Sequence, residues 1–131
     1  MDGRLQETLM PDAIHIITER IAAELLERLV RESFGIMVKY VVDVERGAIA
    51  IGGELHADAE GALLESGSNP RNLWGANYYP GRGREGCIEF TALINIRPAR
   101  GNAGMEVTDP AIRERMRVLT FALIGEGEPL V

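Results

Sequence analysis

The chain has 131 residues, 46% of them hydrophobic and 26% charged, which fits one globular domain with a single core and excludes a disordered polypeptide. Its net charge of −6, from 14 basic and 20 acidic residues, favours solubility and argues against a nucleic-acid backbone as the main partner. No run approaches the ~20 apolar residues that cross a bilayer, the N-terminus lacks the apolar stretch of a secretory signal, and the only cysteine, Cys87, excludes an internal disulfide and points to a reducing cytoplasm.

Residues 1–12 read as an N-terminal tail ending near Pro11, and residues 13–124 as the single domain. Ile14, Ile16 and Ile17 suggest a short first strand. From Arg20 to Ser33 the period becomes helical, with Ile21, Leu25, Leu29 and Ser33 on one stripe and Gly35 as the stop. Ile36, Val38, Tyr40, Val42 and Val44 then alternate with Met37, Lys39, Val41, Asp43 and Glu45. Glu45-Arg46-Gly47 makes a turn into a second alternating run containing Ile49 and Ile51, so the pair predicts a β-hairpin. Gly52-Gly53 marks a bulge or a close backbone approach.

Asp58 is a candidate N-cap for a short helix through Leu63, closed by Gly67. Leu73 to Tyr79 reads as a strand ended by Pro80, Gly81 to Gly86 as a flexible turn, and Cys87 to Arg97 as an alternating strand. Cys87 lies at the head of that apolar run, where it serves as a small hydrophobe. Asp109 and Pro110 open the last helix as N-cap and first helical residue, with Ile112, Met116, Leu119 and Leu123 as its buried stripe. Residues 125–131 form a short polar C-terminal tail. The order β-α-β-β-α-β-β-α gives an α+β fold, with a mostly antiparallel sheet built from two hairpins and helices packed on one face.

The chemistry concentrates in Glu54-Leu55-His56-Ala57-Asp58, where an extended chain would put Glu54 and His56 on one face. The sheet face away from the expected core collects Glu54, His56, Glu89, Asn95 and Arg97, together with Lys39, Asp43 and Thr91. One reading is a solvated face. A second is a polar floor for a small anionic ligand, with Arg97 as its carboxylate or phosphate partner. The third is a surface for a homo-oligomer, a homodimer in the simplest case.

The same floor would also suit metal-free proton transfer, with His56 tuned by Glu54 or Glu89. A metal-assisted hydrolase would use Glu54, His56 and Asp58 around a divalent ion, although the spacing is not a zinc signature. Arg97, Arg100, Gly101, Asn102 and Gly104 precede the last helix and suit an anion, while Glu106 and Asp109 oppose one. There is no P-loop and no dinucleotide fingerprint. Trp74, Tyr78 and Tyr79 are set beside Asn72 and Asn77, with Trp74 expected in the core.

Several segments resemble, in order, a family of small bacterial proteins known as a domain of unknown function. They are Phe34-Gly35-Ile36-Met37-Val38-Lys39, Ile51-Gly52-Gly53-Glu54-Leu55-His56-Ala57-Asp58, Asn72-Leu73-Trp74-Gly75-Ala76-Asn77, Ile94-Asn95-Ile96-Arg97-Pro98 and Asp109-Pro110-Ala111-Ile112-Arg113. The resemblance runs from about residue 13 to 124 and carries no catalytic role to any position.

Overall fold

The computed structural model of the protein describes residues 14–130, so the expected tail at 1–12 lies outside the described residues. Strand β1 (His15–Ile17) leads to helix α1 (Ala23–Ser33), and strands β2 (Val38–Asp43) and β3 (Ala48–Ile51) form the first hairpin. Helix α2 (His56–Glu65) precedes strand β4 (Leu73–Tyr78), the one-turn helix α3 (Gly83–Gly86) and strand β5 (Ile88–Glu89). Helix α4 (Pro110–Leu123) closes the domain. The five strands make one antiparallel sheet in the order β1-β3-β2-β4-β5. The fold is α+β, as the alternation predicts.

The first hairpin turns because Asp43 holds it. Its carboxylate accepts the backbone N–H groups of Glu45 at 3.0 Å and Arg46 at 2.9 Å, while Gly47 takes the left-handed conformation at φ 72°. Asp43 is fully buried, and its other oxygen accepts the Ser68 hydroxyl at 2.6 Å. That removes it from the solvated face to which its place in the alternation assigns it.

Helices cover both faces of the sheet, not one. On the first face, Val38, Tyr40, Val42, Ile49, Ile51, Trp74 and Ala76 pack against Leu26, Leu29 and Val30 of α1 and Met116, Leu119 and Leu123 of α4. On the second, Val41, Ala48 and Ala50 receive Ala59 and Leu63 of α2. The small side chains of β3 leave room for that helix, so the face expected to be open is largely roofed.

Three local corrections follow from the same packing. The strand expected over Cys87 to Arg97 stops at Glu89; Leu93–Asn95 forms a 3-10 turn, and Thr91 makes only an isolated bridge to Glu106. The Gly81–Gly86 turn is fastened, because Gly81 N–H and Gly83 N–H both donate to the Gly127 carbonyl at 3.0 Å. Gly127 N–H in turn donates to the Tyr78 hydroxyl at 2.9 Å, so the expected C-terminal tail is docked at least that far. Helix α4 follows expectation: Pro110 is its first residue, and the Asp109 carboxylate accepts Ala111 N–H at 2.8 Å.

Candidate functional site

The second face of the sheet carries one polar row. Lys39, Asn77 and Glu89 are register partners across β2, β4 and β5, which puts their side chains on one face. Asn77 donates through Nδ2 to Glu89 Oε1 at 2.7 Å, and the Tyr79 hydroxyl reaches the same oxygen at 3.1 Å. His56 roofs the row from the first residue of α2, and its Nε2–H donates to the Ala76 carbonyl at 2.9 Å. A neutral ring making that bond carries its proton on Nε2. Burial pushes the imidazolium below the usual histidine range and Lys39 adds to this, against the Ala76 carbonyl, Asn77 and Glu89, which favour the charged ring.

Asn95 belongs to the framework beside this row. Where β5 has ended, its side-chain amide replaces a neighbouring strand. Oδ1 accepts Gly75 N–H at 2.8 Å, and Nδ2 donates to the carbonyls of Gly75 at 2.9 Å and Met105 at 3.0 Å. Gly75 admits no side chain, since an added Cβ would lie 2.6 Å from Ala92 Cβ and 3.1 Å from His56 Cδ2. Asn102 then organises the following loop. It donates to the Asn95 carbonyl at 2.9 Å and accepts Thr108 N–H at 3.0 Å.

Past this edge lies a groove of about 410 Å³, lined by Arg71, Arg97, Arg100, Glu60, Ile94 and Ile96, with Leu93 and Pro70 at its rim. Arg97 stacks on the Trp74 ring with its guanidinium carbon 4.7 Å from the centroid, and Arg100 follows at 5.5 Å. The Arg97 Nε–H reaches the Ile94 carbonyl at 3.3 Å, and Nη2 lies 3.6 Å from Glu60 Oε2. Its Nη1 is buried without an acceptor, as is Nε1–H of Trp74. Burial lowers the Arg97 pKa and Arg100 adds to that, while Glu60 opposes it. Arg100 Nη1 donates to the Arg71 carbonyl, which ties this wall to the turn before β4.

Three other exposed or half-buried arginines each pair with one carboxylate. Arg113 pairs with Glu106 at 3.3 Å, Arg117 with Glu114 at 2.7 Å and Arg84 with Glu126 at 3.1 Å. Among the described residues, Arg71, Arg97 and Arg100 line the groove with one carboxylate, Glu60, which lies beside Arg97.

The residues expected to form one ligand floor therefore separate. Glu89 bonds Asn77 while His56 bonds the Ala76 carbonyl above the same row, Asn95 is buried in a backbone-bracing role, and Arg97 faces the groove. Glu54 is exposed on the loop before α2, and Asp58 is exposed in the first turn of that helix, whose N-cap is Leu55. The strand that would align Glu54, His56 and Asp58 around a metal ends at Ile51, and among the described residues no three His, Cys, Asp or Glu side chains gather as a metal-holding group. The loop arginines do not join the start of α4, which lines a separate groove with Arg113 and Arg117. Arg71 and Glu60 had no local signal, because folding alone brings them to Arg97.

The model of the family described as Protein of unknown function (DUF5674) matches residues 15–123, and the chain belongs to that family. No curated protein and no solved structure matches the chain. Among the described residues no helix is long and apolar enough to cross a membrane.

Proposed function

We propose that this protein binds a small anionic ligand in the groove of Arg71, Arg97 and Arg100. The observation that carries the reading is the pair of buried donors without acceptors, Arg97 Nη1 and Trp74 Nε1, in two side chains stacked on each other. A buried donor left unpaired costs about 1–3 kcal/mol, and an anion supplies acceptor oxygens and charge together. The polar contacts of the Arg97 guanidinium are a 3.6 Å approach to Glu60 and a 3.3 Å bond to the Ile94 carbonyl, which leave Nη1 as its unpaired donor for an incoming ligand. The excess of guanidinium over carboxylate in the groove, on a chain of net charge −6, concentrates attraction for an anion there.

Trp74 is the single tryptophan and provides the readout. Titration with inorganic phosphate should change its fluorescence saturably. Arg97→Gln should weaken that binding about tenfold or more, equivalent to ~1.4 kcal/mol. A wild-type protein with no saturable response would refute the reading. The cytoplasmic setting and the homo-oligomer expected from sequence belong to the same proposal. Light scattering tests the second, and a mass equal to one chain across all concentrations would remove it.

A further inference from the structure

We infer that the ligand is a phosphate monoester carrying a small aliphatic group, an inference that rests on the anion reading of the same groove. Two features of the lining select this class. The first is charge: three guanidiniums against one lining carboxylate match a dianion, whereas a monocarboxylate would leave one of them uncompensated. The second is the apolar rim. Leu93 is 72% exposed and Ile96 43% exposed, and both line the groove beside the arginines. Isolated exposed aliphatics are ordinary, but these two continue the same wall as Arg97 and Arg100.

The rim is aliphatic, and the nearby aromatic ring of Trp74 is covered by guanidinium groups. The groove therefore offers no free aromatic face on which a nucleobase could stack, and it suits an alkyl group. A polyanion is disfavoured by the net charge of −6 on the whole chain.

The test compares butyl phosphate, inorganic phosphate and pentanoate by Trp74 fluorescence, on wild type, Arg97→Gln and Leu93→Ser. Leu93 is exposed, so its substitution should leave the thermal midpoint unchanged. Butyl phosphate should bind about tenfold tighter than inorganic phosphate, the value of roughly 50 Å² of apolar surface removed from water. Leu93→Ser should reduce that advantage, read as the ratio of butyl phosphate to inorganic phosphate affinity in the same variant, to about threefold or less. Pentanoate should bind weakest. Equal binding of butyl phosphate and phosphate, or of pentanoate and butyl phosphate, overturns the monoester inference. If phosphate still saturates and Arg97→Gln still weakens it, the anion reading survives that result. No saturable binding of any of the three overturns both.

Discussion

The substitution Asn95→Asp changes one group and keeps the shape, so it tests whether this side chain braces the sheet or contacts a ligand. In the wild type the amide accepts from Gly75 N–H and donates to the carbonyls of Gly75 and Met105, at 2.8, 2.9 and 3.0 Å. A carboxylate keeps the acceptor but turns a second, charged acceptor toward two carbonyls in a fully buried position. Each carbonyl left without a donor costs about 1–3 kcal/mol, so the variant should lose roughly 3–5 kcal/mol at neutral pH. Protonation restores one donor, which raises the folded-state pKa of the introduced carboxyl group above its unfolded value of about 3.9.

With more protons bound folded than unfolded, stability falls as pH rises, by about 1.4 kcal/mol per unit between the unfolded and folded pKa values. The loss should therefore be smaller near pH 4, where one of the two carbonyls still lacks a donor, and largest near pH 7. Urea denaturation of wild type and variant in parallel at the two pH values measures it. A loss under about 1 kcal/mol at pH 7, or one that does not change with pH, would refute the bracing role.

Two further outcomes follow from the same region. Gly75→Ala should destabilise by about 1–3 kcal/mol in thermal unfolding, because its methyl group meets Ala92, His56 and Ile94 on a strand with no room to shift; a change within about 0.5 kcal/mol would contradict the packing. His56 should titrate below the ordinary value of 6.5, since burial favours its neutral form. The unfolded chain then binds the proton more readily, so His56 contributes stability that is complete above about pH 6.5 and declines as pH falls. Imidazole NMR would show it, with a His15 variant to separate the second histidine, whose pKa burial and Arg28 also lower. A His56 midpoint at or above 6.5 would refute burial as the dominant influence on the ring.

The first hairpin and the last helix were legible because their signals are local. Alternation over 36–45 and 48–51 and the Asp109-Pro110 start depend on neighbours in sequence, and β2, β3 and α4 lie where they point. The 87–97 alternation was equally local and misled. Burial of Phe90 and Ala92 serves a two-residue strand and a 3-10 turn as well as one long strand, so their spacing could not choose between them, whereas the buried Asn95 and exposed Ile96 break the alternation. The helix-covered second face had a faint signal in Ala48, Ala50 and Gly52, small residues that admit a helix. Glu54, His56 and Asp58 looked aligned only because a strand was assumed to continue past Gly52-Gly53, both of which have positive φ.

By itself the sequence determined the class of fold and the order of its main elements, since these follow from side-chain period and turn chemistry along the chain; of its apolar runs, Val38, Tyr40 and Val42 bury while Ile36 and Ile96 stay exposed. It also gathered Glu54, His56, Glu89, Asn95 and Arg97 on the polar face away from the expected core. Their duties were decided by tertiary structure. Whether an amide braces a strand edge or meets a ligand depends on which backbone groups lack partners, and Gly75 lacks them only because β5 stops short. The arginine groove is likewise a product of assembly. Arg71, Arg97 and Glu60 come from three segments, and the effects that define it, burial and unequal charge, exist only once α2, β4 and the 93–100 loop close on one another.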